Sequence, residues 1–212
     1  MGLVKLKHIL PVILMLLLAV TRWPGLLPWN FSAVYGLMFC AGVYFPKKLA
    51  WWLPLVTIFI TDMLLNWYYH VHYQTPFFSL ELIGNYIAYL ALIWLGRRFT
   101  SKAPFVALVA GGLLGAVLFY LVTNTFSWFF NTFNSPEYTK TFTGWIIALT
   151  RGTAGWPQTW EFFRNNLLSG GLFTALFAGA MKLSEAAEPA EDREPAEEKE
   201  EETPTQPEEV KA

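Results

Sequence analysis

The sequence predicts an all-α membrane protein, six transmembrane helices packed as one bundle and followed by a disordered acidic tail. Three observations point there. Hydrophobic residues make up 54% and aromatic residues 17% of the 212 positions against 15% charged, far from the balance of a water-soluble domain. The apolar residues gather into runs of the length that membrane segments need. Charge is segregated as well: residues 1–183 hold twelve Lys/Arg against four Asp/Glu, whereas 184–212 hold three against twelve. That last stretch is rich in Glu, Pro and Ala and has no aromatics, so it cannot bury enough apolar surface to order itself. The chain therefore divides into a membrane domain, 1–183, and a disordered tail, 184–212.

The first segment, 7–22, follows Lys5 and Lys7 and carries Pro11 early enough to act as a bend. No small-x-small cleavage site precedes Thr21, so an uncleaved helix is expected rather than a signal peptide. The second, 31–45, is short for the ~20 residues of a full helical crossing and is tilted, extended by a loop or partly re-entrant. The remaining four are 49–69, 80–96, 104–128 and 160–183. Between the last two, the stretch 131–159 is too long for a plain connector. It contains an amphipathic piece at 143–150, suited to lie along the interface, and long ordered loops of this kind are often lids.

Orientation follows from where Lys and Arg fall, because short cytoplasmic loops retain positive charge. In a six-crossing arrangement Lys5, Lys7, Lys47, Lys48, Arg97, Arg98, Lys102 and Lys182 share one side, which places both termini in the cytoplasm. At ~1.5 Å per residue, Asp62 then lies roughly 20 Å up a core ~30 Å thick, in its outer half. Asn66, Glu81, Asn85, Thr123, Asn124, Arg164, Asn165 and Asn166 fall at similar depth or at the outer boundary, and Arg22 and Asn30 flank the first outer loop. The inner half is almost purely apolar.

An ionisable group within a lipid-embedded run costs on the order of 3 kcal/mol, so Asp62 should face a protein interior, a watery cavity or a partner. Polar groups from several segments gathered at one depth suggest a cavity open to the outside. Asp62, Asn124 and Arg164, each kept at depth by apolar neighbours, are assigned to it, whereas Arg22, His70, His72 and Glu81 read as helix ends meeting water. Trp128, Trp145, Trp156 and Trp160 suit interfacial anchoring, with substrate stacking the minority use. Small residues at four-residue spacing, Ala107/Gly111/Gly115 and Gly171/Ala175/Gly179, favour close packing between the chain's own helices, docking to another membrane subunit being the alternative.

Several chemistries have no support. There is no phosphate loop, dinucleotide-binding glycine pattern or nucleophile elbow, so no enzyme, cofactor or nucleic-acid partner is expected. The single cysteine, Cys40, excludes an intrachain disulfide. His70 and His72, which would share one side of an extended strand, make a weak metal signal without a third ligand. No internal repeat supports an inverted-repeat transporter.

The combination Asn30-Phe31-Ser32, Leu37, Gly42 and Tyr44, Pro54-Leu55, Asp62-Met63-Leu64-Leu65, Thr123-Asn124 with Trp128, Gly144, Phe162-Phe163-Arg164-Asn165 and Leu172 to Thr174 resembles an uncharacterised bacterial membrane family. That family, a domain of unknown function, is in turn similar to the substrate-binding S components of energy-coupling-factor vitamin transporters. The resemblance spans about residues 22–181. It departs at Ala33, where the family has Pro, at Gly170-Gly171, where it often has Gly-Asp, and in the first segment, which lacks an Ala-x-x-x-Ala face.

The resemblance implies an S-component-like bundle in the bacterial inner membrane. It would capture a small vitamin-like or precursor solute from outside, with lipids, an energy-coupling transmembrane subunit and ATPase subunits as partners. Arg164 would meet a carboxylate or phosphate on the ligand, and Asp62 would hold an amine or orient Arg164. Asn30, Asn124 and Asn165 would supply neutral hydrogen bonds, and Asn85 and Trp128 complete the expected binding set. A second reading, from another class, is a scaffold whose buried polar residues only lock helix packing while the acidic tail recruits a cytoplasmic partner.

Overall fold

The computed structural model describes residues 3–187, and the expectation of a disordered tail falls almost wholly outside them. Among the described residues the chain is all helix with no strand: α1 (Leu3–Thr21), α2 (Val34–Tyr44), α3 (Lys47–Tyr73), α4 (Glu81–Gly96), α5 (Phe105–Phe130), α6 (Phe142–Thr150) and α7 (Thr159–Ala187). Three are long and apolar enough to cross a membrane: α3, α5 and α7. Their outer surfaces carry exposed Phe59, Ile60, Leu64, Leu114, Leu172 and Leu176, a girdle that water would not tolerate and lipid would.

α2 is the hub. It packs against α1, α3, α4, α5 and α7, and nine of its 11 residues, Val34 through Gly42, are buried. A helix apolar on every side belongs in the middle of a bundle, where no face needs to meet water. Its neighbours approach closely because glycines stand at the crossings. A Cβ on Gly36 would lie 2.6 Å from the Thr174 backbone nitrogen of α7, and one on Gly42 would lie 2.3 Å from the Ile93 carbonyl oxygen of α4. The predicted stripe of α5 serves the same purpose within the chain, Gly111 seating the Phe39 ring and Gly115 the Leu92 side chain. In α1, Pro11, Leu14, Met15 and Leu18 recur at helical spacing and face the bundle, while Val12, Ile13 and Leu16 face outward.

One local expectation changes. Residues 70–72 are not extended; they continue α3 through its last turn, until Gln74 takes a left-handed conformation at φ 53°. Helical phase separates His70 and His72 by ~200°, and each ring binds a nearby carbonyl, Thr75 O at 2.7 Å and Tyr68 O at 2.9 Å. No metal-holding group occurs among the described residues. The amphipathic piece of the long loop is α6, capped by the Thr141 hydroxyl accepting from Gly144 N at 3.1 Å. It packs on α5 and α7, with Trp145 Nε1 donating to Thr125 Oγ1 at 2.9 Å and the Tyr120 hydroxyl donating to the Leu149 carbonyl.

Candidate functional site

The shortness of α2 makes the site. At ~1.5 Å per residue its 11 residues rise only about 16 Å, roughly half a bilayer core, so space remains beyond its N-terminus. Residues 22–33 arch over that space. Gly25 takes φ 80° and Asn30 φ 58°, left-handed conformations that Gly and Asn adopt most readily. Beneath lies a partly open cavity of about 840 Å³, reached by α3, α4, α5 and α7, with Val34 and Tyr35 of α2 in its lining.

The arch is tied down by two amides on α7. Asn165 Nδ2 donates to Trp29 O at 2.8 Å. Asn166, with its amide nitrogen turned toward them, donates to Asn30 O at 3.0 Å and Phe162 O at 3.1 Å and meets the Tyr35 hydroxyl at 3.0 Å. The Trp29 ring stacks on Phe162, centroids 6.1 Å apart and planes 5° from parallel, and also meets Trp156 from the long loop. That loop thus contributes to the cavity rim, but most of it is fastened to α5: Trp128 Nε1 donates to Thr139 O at 2.7 Å, and Lys140 Nζ donates to Trp128 O at 2.6 Å.

Aromatic side chains dominate the walls, among them Tyr35, Tyr68, Tyr69, Tyr89 and Phe119. Amides and hydroxyls are interspersed: Asn30, Asn85, Thr123 and Asn124 all line the cavity, with Asn124 Nδ2 donating to Tyr120 O at 2.8 Å within its own helix. Arg22 is the one charged side chain in the lining, and it reaches across from the end of α1 to ion-pair with Asp62 of α3. Their side chains are only 13% and 7% exposed. Burial at this level is tolerable because each charge answers the other. The pair does not use all of its capacity. Arg22 Nε and Asn66 Nδ2 are buried without a hydrogen-bond partner, and the Tyr86 hydroxyl lies within reach of the Asp62 carboxylate.

Of the expected binding residues, Asn30, Asn85 and Asn124 line the cavity, and Asp62 stands behind it in contact with Arg22. Three lie elsewhere. Arg164 is exposed, its guanidinium 5.7 Å from the Trp160 ring centroid, because Phe162 and Asn166 are the α7 residues turned to the cavity and a position two residues from each points the other way. Asp62 therefore orients Arg22, not Arg164. Trp128 is held by the loop, and Asn165 holds the arch. Arg22 itself is not a helix end meeting water. Its signal was an unlike charge at the same depth as Asp62. Tyr35, Tyr68, Tyr69 and Tyr89 gave no signal, since tyrosines are common wherever a helix meets a membrane boundary.

Fold and site together define a class: a protein whose described residues are all helical, with three helices long and apolar enough to cross a membrane and an aromatic-walled cavity over a buried ion pair. A family model described as a family of unknown function, DUF6580, matches residues 4–191, and the chain belongs to that family. No curated protein and no solved structure matches it.

Proposed function

We propose that this protein is the substrate-binding subunit of a membrane uptake system, similar to an S component, which takes a small, flat, partly polar solute of vitamin or precursor size from outside. The observation that carries the reading is the cavity. About 840 Å³ falls within the ~300–1,000 Å³ typical of small-molecule sites, and aromatic walls with a few placed polar groups are what such sites use. Tyr and Phe faces would stack on a planar ring, while Asn85, Asn124 and Arg22 would fix its polar edge. In the six-crossing arrangement, α1, α2 and α4 complete the bundle beside α3, α5 and α7, and the cavity opens on the side opposite the Lys/Arg-rich turns. Energised partner subunits would then pass the solute inward, since the chain carries no nucleotide-binding motif of its own.

The test is ligand-dependent stabilisation of the purified full-length chain across a panel of vitamins and their precursors. A binder should raise Tm in the wild type and much less in Asn85→Ala or Asn124→Ala. No shift with any member, together with flat calorimetric titrations, overturns the reading.

A scaffold reading draws on a different observation: Asn165, Asn166, Arg22 and Asp62 find partners within the chain and knit its elements together. Co-purification with an ATPase pair supports uptake; co-purification with cell-wall or division proteins supports scaffolding.

A further inference from the structure

At the end of the bundle remote from the cavity, the turn into α3 and the end of α4 border a second, widely open cleft of about 550 Å³, lined by Lys47, Lys48, Trp51, Trp94, Arg97 and Arg98. Four of the six are cations and none is an acid. We propose that this cleft binds the phosphate headgroup of an anionic phospholipid.

Each part of the cleft fits that chemistry. Arg97 is partly committed: its Nη1 reaches the Gly42 and Phe45 carbonyls at 3.4 and 3.3 Å, where it answers the negative end of α2 and holds the corner of the cleft in place. Arg98 is stacked rather than ion-paired, its guanidinium 4.5 Å from the Trp94 centroid, so its N–H edge is directed by the ring and available to an oxyanion. Lys47 and Lys48 open α3 behind Pro46, with no side chain capping that helix end, and its positive pole adds to theirs. The charge requirement alone would suit any phosphate.

What selects a lipid is the level at which the cleft lies. Trp52 and Trp94 are 66% and 51% exposed beside it, and exposed tryptophans on membrane helices sit at the headgroup layer, where phosphates are lipid phosphates. The competing occupant is the chain's own acidic segment. Residues 188–212 carry eleven Asp/Glu against three Lys/Arg, and Glu185, close to the start of that segment, lies within electrostatic reach of Tyr44 at the end of α2. A tail carboxylate would bring charge but no acyl chain to lie against the exposed indoles.

Native mass spectrometry of the detergent-solubilised full chain, titrated with phosphatidylglycerol and with phosphatidylcholine, tests the assignment. Phosphatidylglycerol should be retained selectively. The triple variant Lys47→Gln/Lys48→Gln/Arg98→Gln should hold it roughly a hundredfold more weakly, about fivefold per cation removed. Lys47→Arg/Lys48→Arg should keep it, as should Lys140→Gln/Arg151→Gln at the other end of the bundle. Melting curves of the variants confirm that each is folded, all of the altered side chains being exposed. Equal retention of both lipids, equal loss in the Lys140/Arg151 variant, or equal protection by inorganic phosphate overturns the proposal. So does anionic-lipid binding that appears only when residues 188–212 are deleted, which would make the tail the occupant.

Discussion

The Arg22–Asp62 pair shows what a single residue does in this chain. Two buried charges are tolerated together and neither alone, since removing one leaves the other desolvated without an answer. Asp62→Ala and Arg22→Ala should each destabilise the protein by about 3–5 kcal/mol in detergent-based unfolding. The apolar double variant Arg22→Met/Asp62→Leu should recover most of that loss, and a double variant as unstable as the sum of the singles would mean the pair is not coupled. Arg164 offers the contrast: because it is exposed, Arg164→Ala should stay within ~0.5 kcal/mol of wild type and leave any ligand-dependent Tm shift unchanged. Asp62 was legible because a carboxylate in an apolar run has to be explained, and its level in the bundle followed from helix rise alone. Arg22 was not, because a cation at the end of a segment looks the same whether it meets water or turns back into the protein. Arg164 was misplaced for a third reason: depth can be counted along a helix, but which way a residue points depends on how that helix is rotated against its neighbours, which the sequence does not state.

At the scale of elements, the packing of α2 rests on backbone approaching backbone. A methyl at Gly42 would meet the Ile93 carbonyl at 2.3 Å and one at Gly96 the Phe39 carbonyl at 2.1 Å. Neither obstacle is the flexible end of a side chain, so α2 and α4 must separate. Gly42→Ala and Gly96→Ala should each cost about 1–3 kcal/mol, whereas Gly179→Ala, whose added carbon would meet only Phe105 at 3.9 Å, should be neutral in the same unfolding assay. The helices themselves were largely readable, since apolar run length and Lys/Arg turns mark where they begin and end; α4 ends at Gly96 as the pattern suggests. The hub was not. In a membrane chain a helix facing lipid and a helix buried among others are equally apolar, so hydropathy separates α2 from its neighbours by length only. The cavity, which exists because α2 is short and residues 22–33 fold over it, was expected from the level at which polar groups gather, but its aromatic walls were not.

For the whole molecule, what decides between uptake and any other use of the cavity is the side on which it opens. Cations are unevenly spread between the two ends. Lys47, Lys48, Arg97, Arg98, Lys102 and Lys182 gather at one, with Lys182 donating to Ser101 O at 3.1 Å. The cavity end carries fewer: Arg22, which is paired with Asp62, Lys140, which is bonded to the Trp128 and Phe129 carbonyls, and the exposed Arg151 and Arg164. Under the proposed uptake reading, the positive-inside rule would set the cavity outward. The native thiol makes this testable without removing it: Cys40 is 2% exposed within α2 and should stay unlabelled by a membrane-impermeant maleimide while the chain is folded. Thr75→Cys, in the turn at the cavity end, should then be labelled in intact cells, and Thr100→Cys, in the turn between α4 and α5, only after permeabilisation. The reverse pattern would open the cavity to the cytoplasm, where it could serve export or sensing but not capture from outside. Labelling of both positions in intact cells would remove the membrane barrier between the two turns, and with it the crossing of α4.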